Sequence, residues 1–276
     1  MDWSSSKIFI CGTTRNCEQH LDAAFENIHK IAELFADVRI IISFDKSDDK
    51  TLLKLTQQKA RYKDKLHILI NREPLTTIRT QNISKARNMY LDKMRELVNG
   101  GYEAKYFIAI DMDDVCSGPM DLDVFTRAMN REDKWDSVSF NRRGYYDIWA
   151  LSIDEYIYSC WGWLSPWEVV DHTKAYIIDK LGKIPAEEFA ECRSAFNGFA
   201  VYKTAMFLDC NYDWRMPKQY MDLKELQRQQ KILWGVGSRS PLEIQTDEPD
   251  CEHRAFHMMA TDKHGARIRI TPEILF

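Results

Sequence analysis

The feature that most constrains this chain is a rhythm in its first 110 or so residues. Short runs of Ile, Val, Leu and Phe (KIFICGT, VRIIIS, LHILI and KYFIAI) take turns with segments of helical period. Runs this short and apolar read as strands. A helix over about residues 19–36 places Leu21, Ala24, Phe25, Ile28, Ile31, Ala32 and Phe35 on one face, as a helix laid on a sheet requires. A second helix, with Asn82 or Ser84 as N-cap and the Gly100-Gly101 pair as its stop, turns Ala86, Met89, Tyr90, Met94 and Leu97 inward. Strand and helix in alternation predict an α/β fold with a mostly parallel central sheet, and a ligand site beyond the carboxyl ends of its strands.

After residue 135 the pattern becomes irregular. Strands such as DSVSFN and FNGFAVYK mix with an aromatic stretch, YIYSCWGWLSPWE, and with helical segments near 167–181 and 218–233. No repeat, low-complexity tract or Gly/Ser/Pro linker divides the chain, so residues 1–276 are expected to form one domain with a regular half (1–134) and an irregular half (135–276).

Composition narrows the function classes. With a net charge of −4 there is no global basic field to recruit nucleic acid or an anionic membrane, so an anionic ligand has to be held locally. The seven cysteines are odd in number and contain no CxxC pair, which points to reduced thiols and a cytoplasmic chain. No stretch of about 18 apolar residues occurs, so neither a membrane span nor a secretory signal is expected. The sequon at Asn82 is therefore read as a helix start and not as a glycan site.

The chemistry concentrates in YFIAIDMDDV, residues 106–115, where an apolar strand ends in three carboxylates within four residues. In an extended chain Asp111 and Asp113 point to one side and Asp114 to the other, so the first two can share one ion. Hard oxygen ligands with room for water and phosphate suit Mg²⁺ or Mn²⁺. A solvated Asp-rich turn is the bland alternative. The string also fits a phosphohydrolase pattern in which Asp111 is nucleophile and Asp113 general acid. Against that, more than a hundred residues precede it and no Asp-Asp or Gly-Asp follows to supply the magnesium site. Upstream, SFDKSDDKT offers short polar side chains able to read a base or ribose, and RTQNISKARN supplies Arg79 and Arg87, whose guanidinium forks suit phosphate. Tyr156, Tyr158, Trp161, Trp163 and Trp167 can pack a core or form a platform for sugar rings. A carbohydrate-binding protein without catalysis would use the tryptophans but leave the acids idle. Near the end, PDCEHRAFH reads as a strand carrying Glu252, His253 and His257, with Glu252 and His253 on opposite faces.

Taken in order, TTRNCEQHL, FDKSDDKT, RTQNISKARNMYLDKM, IDMDDV, YYDIWAL, SAFNGFAVYK and CEHRAFH resemble the capsule-associated mannosyltransferase family of fungi and related glycosyltransferases of large algal viruses. The resemblance covers most of the chain. It implies an A-type glycosyltransferase fold, a nucleotide-diphosphate sugar as donor, a divalent cation and a glycan or sugar acceptor. The first half would hold the nucleotide sugar and the second the acceptor. On that mapping Asp111 and Asp113 are the metal-binding DxD, joined by His253, and Arg79 and Arg87 lie by the donor phosphates. Asp147 and Glu252 line the reaction centre as acid/base candidates. Thr13, Arg15, Asp45, Ser47 and Met112 complete the candidate donor-binding set. The fungal members are membrane-anchored, whereas this sequence looks closer to the viral type, acting in a host cytoplasm. A UDP-sugar is favoured for the compact side chains of SFDKSDD, with a GDP-sugar as the alternative that the mannose-using relatives imply.

Overall fold

The computed structural model describes residues 3–157, 166–215, 218–220, 222–234 and 249–276. Strand β1 (Lys7–Thr14) leads into helix α1 (Leu21–Ala32), followed by β2 (Asp37–Phe44), α2 (Thr51–Tyr62), β3 (Leu66–Ile70), α3 (Arg79–Asn99) and β4 (Tyr106–Asp111). Then come α4 (Leu122–Met129), β5 (Ser137–Asn141), α5 (Pro166–Gly182), β6 (Ala190–Cys192), β7 (Phe199–Lys203) and the single turn α6 (Thr204–Phe207). Helices α7 (Leu223–Trp234) and α8 (Glu252–His264) and strand β8 (Ile268–Ile274) complete the chain.

The strands form one sheet in the order β3-β2-β1-β4-β7-β5-β8-β6. Strands β3, β2, β1 and β4 are parallel. Strand β7 enters antiparallel to both β4 and β5, β8 is parallel to β5, and β6 is antiparallel to β8. The result is a mixed α/β domain with helices on both faces of the sheet. Strand β1 shows why its run carries no alternation: Ile8 and Ile10 pack with Leu21, Ala24, Phe25 and Ile28 of α1, while Phe9 and Cys11 pack with Tyr90, Leu91 and Met94 of α3. A third cluster joins Tyr145, Ile148, Leu151 and Ile153 to Val169, Val170 and Ile177 of α5. No helix among the described residues is long and apolar enough to cross a membrane.

The connections β1-β2-β3 step outward in one direction and β4 returns to the other side of β1. The loops leaving β1 and β4 therefore diverge, and a crevice opens at their carboxyl ends. Register sets its floor: Thr13 is level with both Ser43 of β2 and Asp111 of β4.

Two expectations change. CEHRAFH is the start of helix α8 and not a strand. Residues 251–258 are all buried, so no polar face marks a period of 3.6. In the helix His257 lies one turn beyond His253, on its side and not on that of Glu252. Helix α3 begins at Arg79, before both proposed caps, and Ile78 makes no side-chain cap. Asn82 instead accepts from the Thr76 N–H (2.9 Å) and donates to the Thr76 carbonyl (2.8 Å), folding the preceding loop onto the helix. Of the aromatic stretch, Tyr156 is buried and Trp167 is exposed, and Tyr158, Trp161 and Trp163 lie outside the described residues.

Candidate active site

A cleft with a cavity volume of 260 Å³ occupies the crevice. Its walls are the carboxyl ends of β1, β2 and β4 with their loops, the first turns of α3 and α8, residues 146–149, and Phe196. Of the residues singled out from the sequence, Thr13, Arg15, Asp45, Arg79, Arg87, Asp111, Met112, Asp113, Asp147, Glu252 and His253 all line it. Ser47 does not. Its hydroxyl donates to the Asp45 carbonyl and accepts from the Asn16 N–H, both at 3.0 Å, and so is used up in bracing two loops.

The centre of the cleft is short of positive charge. Arg87 is buried at 3% exposure and forks between two carboxylates, donating from Nη2 to Asp111 (3.2 Å) and from Nε to Glu252 (2.9 Å). Its Nη1 is buried without a partner, and the guanidinium lies over the Phe196 ring at 4.7 Å. This one cation faces four carboxyls. Burial pushes the Asp111 carboxyl up to about 7, and Asp113, Asp147 and Glu252 add to the rise against the pull of Arg87. Burial and then Glu252 push Asp147 up to about 6, opposed by the Ala150 N–H, Arg87 and Arg79. Asp113 accepts from the Val115 N–H (3.1 Å) at the start of a short 3-10 turn, while Asp114 is exposed outside the cleft.

The first turn of α8 brings both Glu252 and His253 to the cleft, which a straight strand would not allow. The His253 ring stacks on Phe196 with centroids 3.8 Å apart. Burial, then Arg87 and His257, hold its basicity well below the usual imidazole value, so the ring is neutral. Its Nε2 is buried with no partner, 3.7 Å from Glu252. His257 lies behind it, bonded to Tyr202 (3.1 Å) and Ser194 (2.9 Å) and outside the cleft.

Carboxylate oxygens and a neutral imidazole whose Nε2 has no hydrogen-bond partner among the described residues, in a cleft of excess negative charge, fit a divalent cation such as Mg²⁺ or Mn²⁺. Asp111, Asp113 and His253 are not drawn into a tight set. Among the described residues the group of three whose ligand atoms lie within 4.8 Å of one another is Asp209, Cys210 and His264, outside the cleft. There Lys263 and His264 already pair with Asp209.

Two backbone features position these groups. In the turn before β7, Asn197 (φ +57°) and Gly198 (φ +90°) adopt left-handed conformations. The Gly198 carbonyl accepts the Asp111 N–H (2.9 Å), and Asn197 Oδ1 accepts the Asp147 N–H (2.9 Å). A Cβ at Gly198 would press into Val115 Cγ1, so only glycine fits. At the floor the Met112 side chain packs onto Gly12, where an added Cβ would lie 2.7 Å from Met112 Cγ.

The outer end is assembled by side chain to backbone hydrogen bonds between the loops after β1 and β2. The Asp48 N–H donates to Asn16 Oδ1, the Glu18 N–H to Asp49, the Lys50 N–H to Glu18 and the Cys17 N–H to Thr51 Oγ1, at 2.8–2.9 Å. Much of TTRNCE and FDKSDDKT is therefore stapling, and Thr13, Thr14, Arg15, Cys17 and Asp45 are the members that line the cleft. Asp45 is buried and accepts from Asn71 Nδ2 (2.7 Å). Arg79, the first residue of α3, is exposed at the rim.

No protein-family model matches this sequence, and no curated protein matches it. Among solved structures, residues 1–349 of S. aureus TarS share 13% identity over 98% of this chain and 59% of that one, with a TM-score of 0.49. The mannosyltransferase PcManGT from Pyrobaculum calidifontis, in complex with GDP-Man and Mn²⁺, shares 12% over 98% of this chain and 55% of its own, with a TM-score of 0.48. The M. tuberculosis glucosyl-3-phosphoglycerate synthase shares 12% over 73% and 58%, with a TM-score of 0.41. This chain spans less than two thirds of the length of each. Likenesses this distant leave the chemistry to be read from the cleft itself.

Sequence reasoning passed over Asn82, Tyr146, Trp149, Phe196 and Cys251, which also line the cleft, and Asn197, which positions Asp147. The Asn-Gly pair at 197–198 was the available signal, since that dipeptide favours left-handed backbone.

Proposed function

We propose that this protein is a metal-dependent glycosyltransferase of A-type fold, moving a sugar from a nucleotide-diphosphate sugar to a sugar or glycan acceptor. The observation that carries this reading is the convergence, in one cleft at the switch point of the sheet, of the Asp111–Asp113 pair, the amino end of α3 with Arg79, and the buried Asp147.

The diphosphate suits the amino end of α3. Its first N–H groups have no intrahelical partners, Ile78 caps none of them, and the helix dipole and Arg79 favour negative charge there. Asp111, Asp113 and the Nε2 of His253 would hold Mn²⁺ or Mg²⁺, which when bound supplies charge to stabilise the departing nucleoside diphosphate. Thr13, Arg15 and Asp45 take the nucleoside end, with Met112 on the floor, and a UDP-sugar is the preferred donor over a GDP-sugar. Asp147 is the better proton acceptor of the two carboxylate candidates, because Glu252 is tied to Arg87 while Asp147, among the described residues, accepts the Ala150 N–H alone and has a basicity raised toward neutrality. Arg87 holds Asp111 and Glu252 in place from below and is not free to grip phosphate with its whole fork. The family resemblance supports an acceptor among capsule or viral capsid glycans.

The test is product analysis. With Mn²⁺, UDP- and GDP-hexoses and simple glycosides, nucleoside diphosphate should appear together with an extended glycoside. Release of inorganic phosphate from small esters without any nucleotide sugar, with a phosphoryl group trapped on Asp111, would replace this reading by the hydrolase one.

A further inference from the structure

Three cleft-lining residues are exposed at the rim: Arg15, Arg79 and Tyr146. The arginines suit the anionic donor. Tyr146 is different in kind, a large ring left 44% exposed immediately before the buried Asp147. The other cleft aromatics are not presented this way, since Phe196 is buried under His253 and Trp149 is half-buried. The backbone is built to present it. Tyr145 is held at φ +40°, an unusual conformation for a bulky residue, and its fully buried ring anchors the turn, so that the next side chain projects outward. Burial and then Asp111, Asp147 and Asp113 push the Tyr146 phenol well above its ordinary value, with Arg79 opposing, so the ring is neutral and stands among the reaction-centre carboxyls.

We propose that Tyr146 is the acceptor platform, stacking on the apolar face of an uncharged sugar ring whose attacking hydroxyl meets Asp147. This rests on the transferase reading and adds the substrate class: a neutral glycoside. A uronate or phosphosugar would set its own negative charge against Asp147 and Asp113, which selects against it. In the step this arrangement serves, the acceptor hydroxyl gives its proton to the Asp147 carboxylate and its oxygen bonds to the anomeric carbon of the donor. The bond from that carbon to the diphosphate breaks, and its electron pair leaves with the nucleoside diphosphate.

The test pairs two measurements on the whole protein with Tyr146→Ala and Tyr146→Phe. Saturation-transfer NMR with methyl hexosides needs no turnover. Wild type and Tyr146→Phe should show ring-proton contacts that Tyr146→Ala loses, and methyl uronides should show none. In the transfer assay Tyr146→Ala should raise the acceptor KM about tenfold or more, while the donor Kd from calorimetry changes less than about twofold. An unchanged acceptor KM and unchanged NMR contacts in Tyr146→Ala overturn the assignment. A donor Kd that weakens as much as the acceptor KM also overturns it, by making Tyr146 a nucleobase platform. If wild type shows no transfer at all, the transferase reading fails, and the NMR contacts still decide whether Tyr146 binds a sugar ring.

Discussion

Two aspartates, Asp136 buried and Asp111 half-buried, sit at opposite ends of the same sheet and are treated in opposite ways. Asp136, before β5, receives Lys203 Nζ (2.9 Å), Arg267 Nε (2.9 Å) and the Arg267 N–H (2.9 Å). Burial alone would raise its pKa, yet these cationic partners hold it well below the usual carboxylate range. Asp111, at the end of β4, shares a single guanidinium with Glu252, faces Asp113 and Asp147, and is pushed up to about 7. The first cluster is complete and ties β5, β7 and β8 together. The second sets the buried Arg87, with Arg79 at the rim, against four carboxyls, an imbalance that the proposed divalent cation would relieve.

The comparison breaks if the two aspartates respond alike to mutation. Asp111→Asn or Asp113→Asn should lower Mn²⁺-dependent donor affinity at least about a hundredfold with the fold intact, because losing a like charge offsets the weakened bond, to Arg87 for Asp111 and to the Val115 N–H for Asp113. Calorimetry with the donor and circular dichroism read the two effects. Asp147→Asn should leave donor affinity in place and lower turnover about 10²–10⁴-fold, the range for a lost general base; equal loss of binding and turnover would make Asp147 a binding residue. Asp136→Asn should do the reverse, costing about 2–3 kcal/mol in urea unfolding with donor affinity unchanged.

The pH dependence sharpens the contrast. The folded values of Asp111 and Asp147, about 7 and about 6, lie above those of the unfolded chain, so without divalent cation the native state holds extra protons between about pH 4 and 7. Stability from this source falls as pH rises through that window. The depressed Asp136 contributes stability above its unfolded value and loses it as pH falls below about 4. Unfolding free energies in chelator should therefore decline on both sides, with Asp111→Asn flattening the upper limb and Asp136→Asn the lower. The smallest effect separates two histidines one helical turn apart: His253→Ala should raise the Mn²⁺ concentration for half-activation about tenfold, whereas His257→Ala should act on melting temperature alone.

How much of this was legible depends on what each residue packs against. Strands β1 to β4 and α1 declare themselves, because long apolar runs and a one-sided face have few alternatives. The carboxylate ends of the strands are equally visible, so Asp111 and Asp113 stand out. Helix α8 does not, since Glu252 through Met258 are buried and a helix enclosed on all sides loses its period. Strand β8 is hidden by Arg267, Arg269 and Pro272, although it pairs with both β5 and β6. Arg87 reads as a phosphate ligand because a guanidinium suits phosphate and carboxylate equally, and only the fold brings Glu252, 165 residues away, to within 2.9 Å.

The proposed function requires a cation-dependent donor site at Asp111 and Asp113. The most direct measurement is a thermal-shift titration of the wild-type protein with UDP- and GDP-sugars, with and without Mn²⁺. A ligand that binds only the native state raises the melting temperature, so a shift by at least one nucleotide sugar that appears with Mn²⁺ and vanishes with chelator is the predicted result. Equal shifts with and without the metal, or none across the panel, would contradict it.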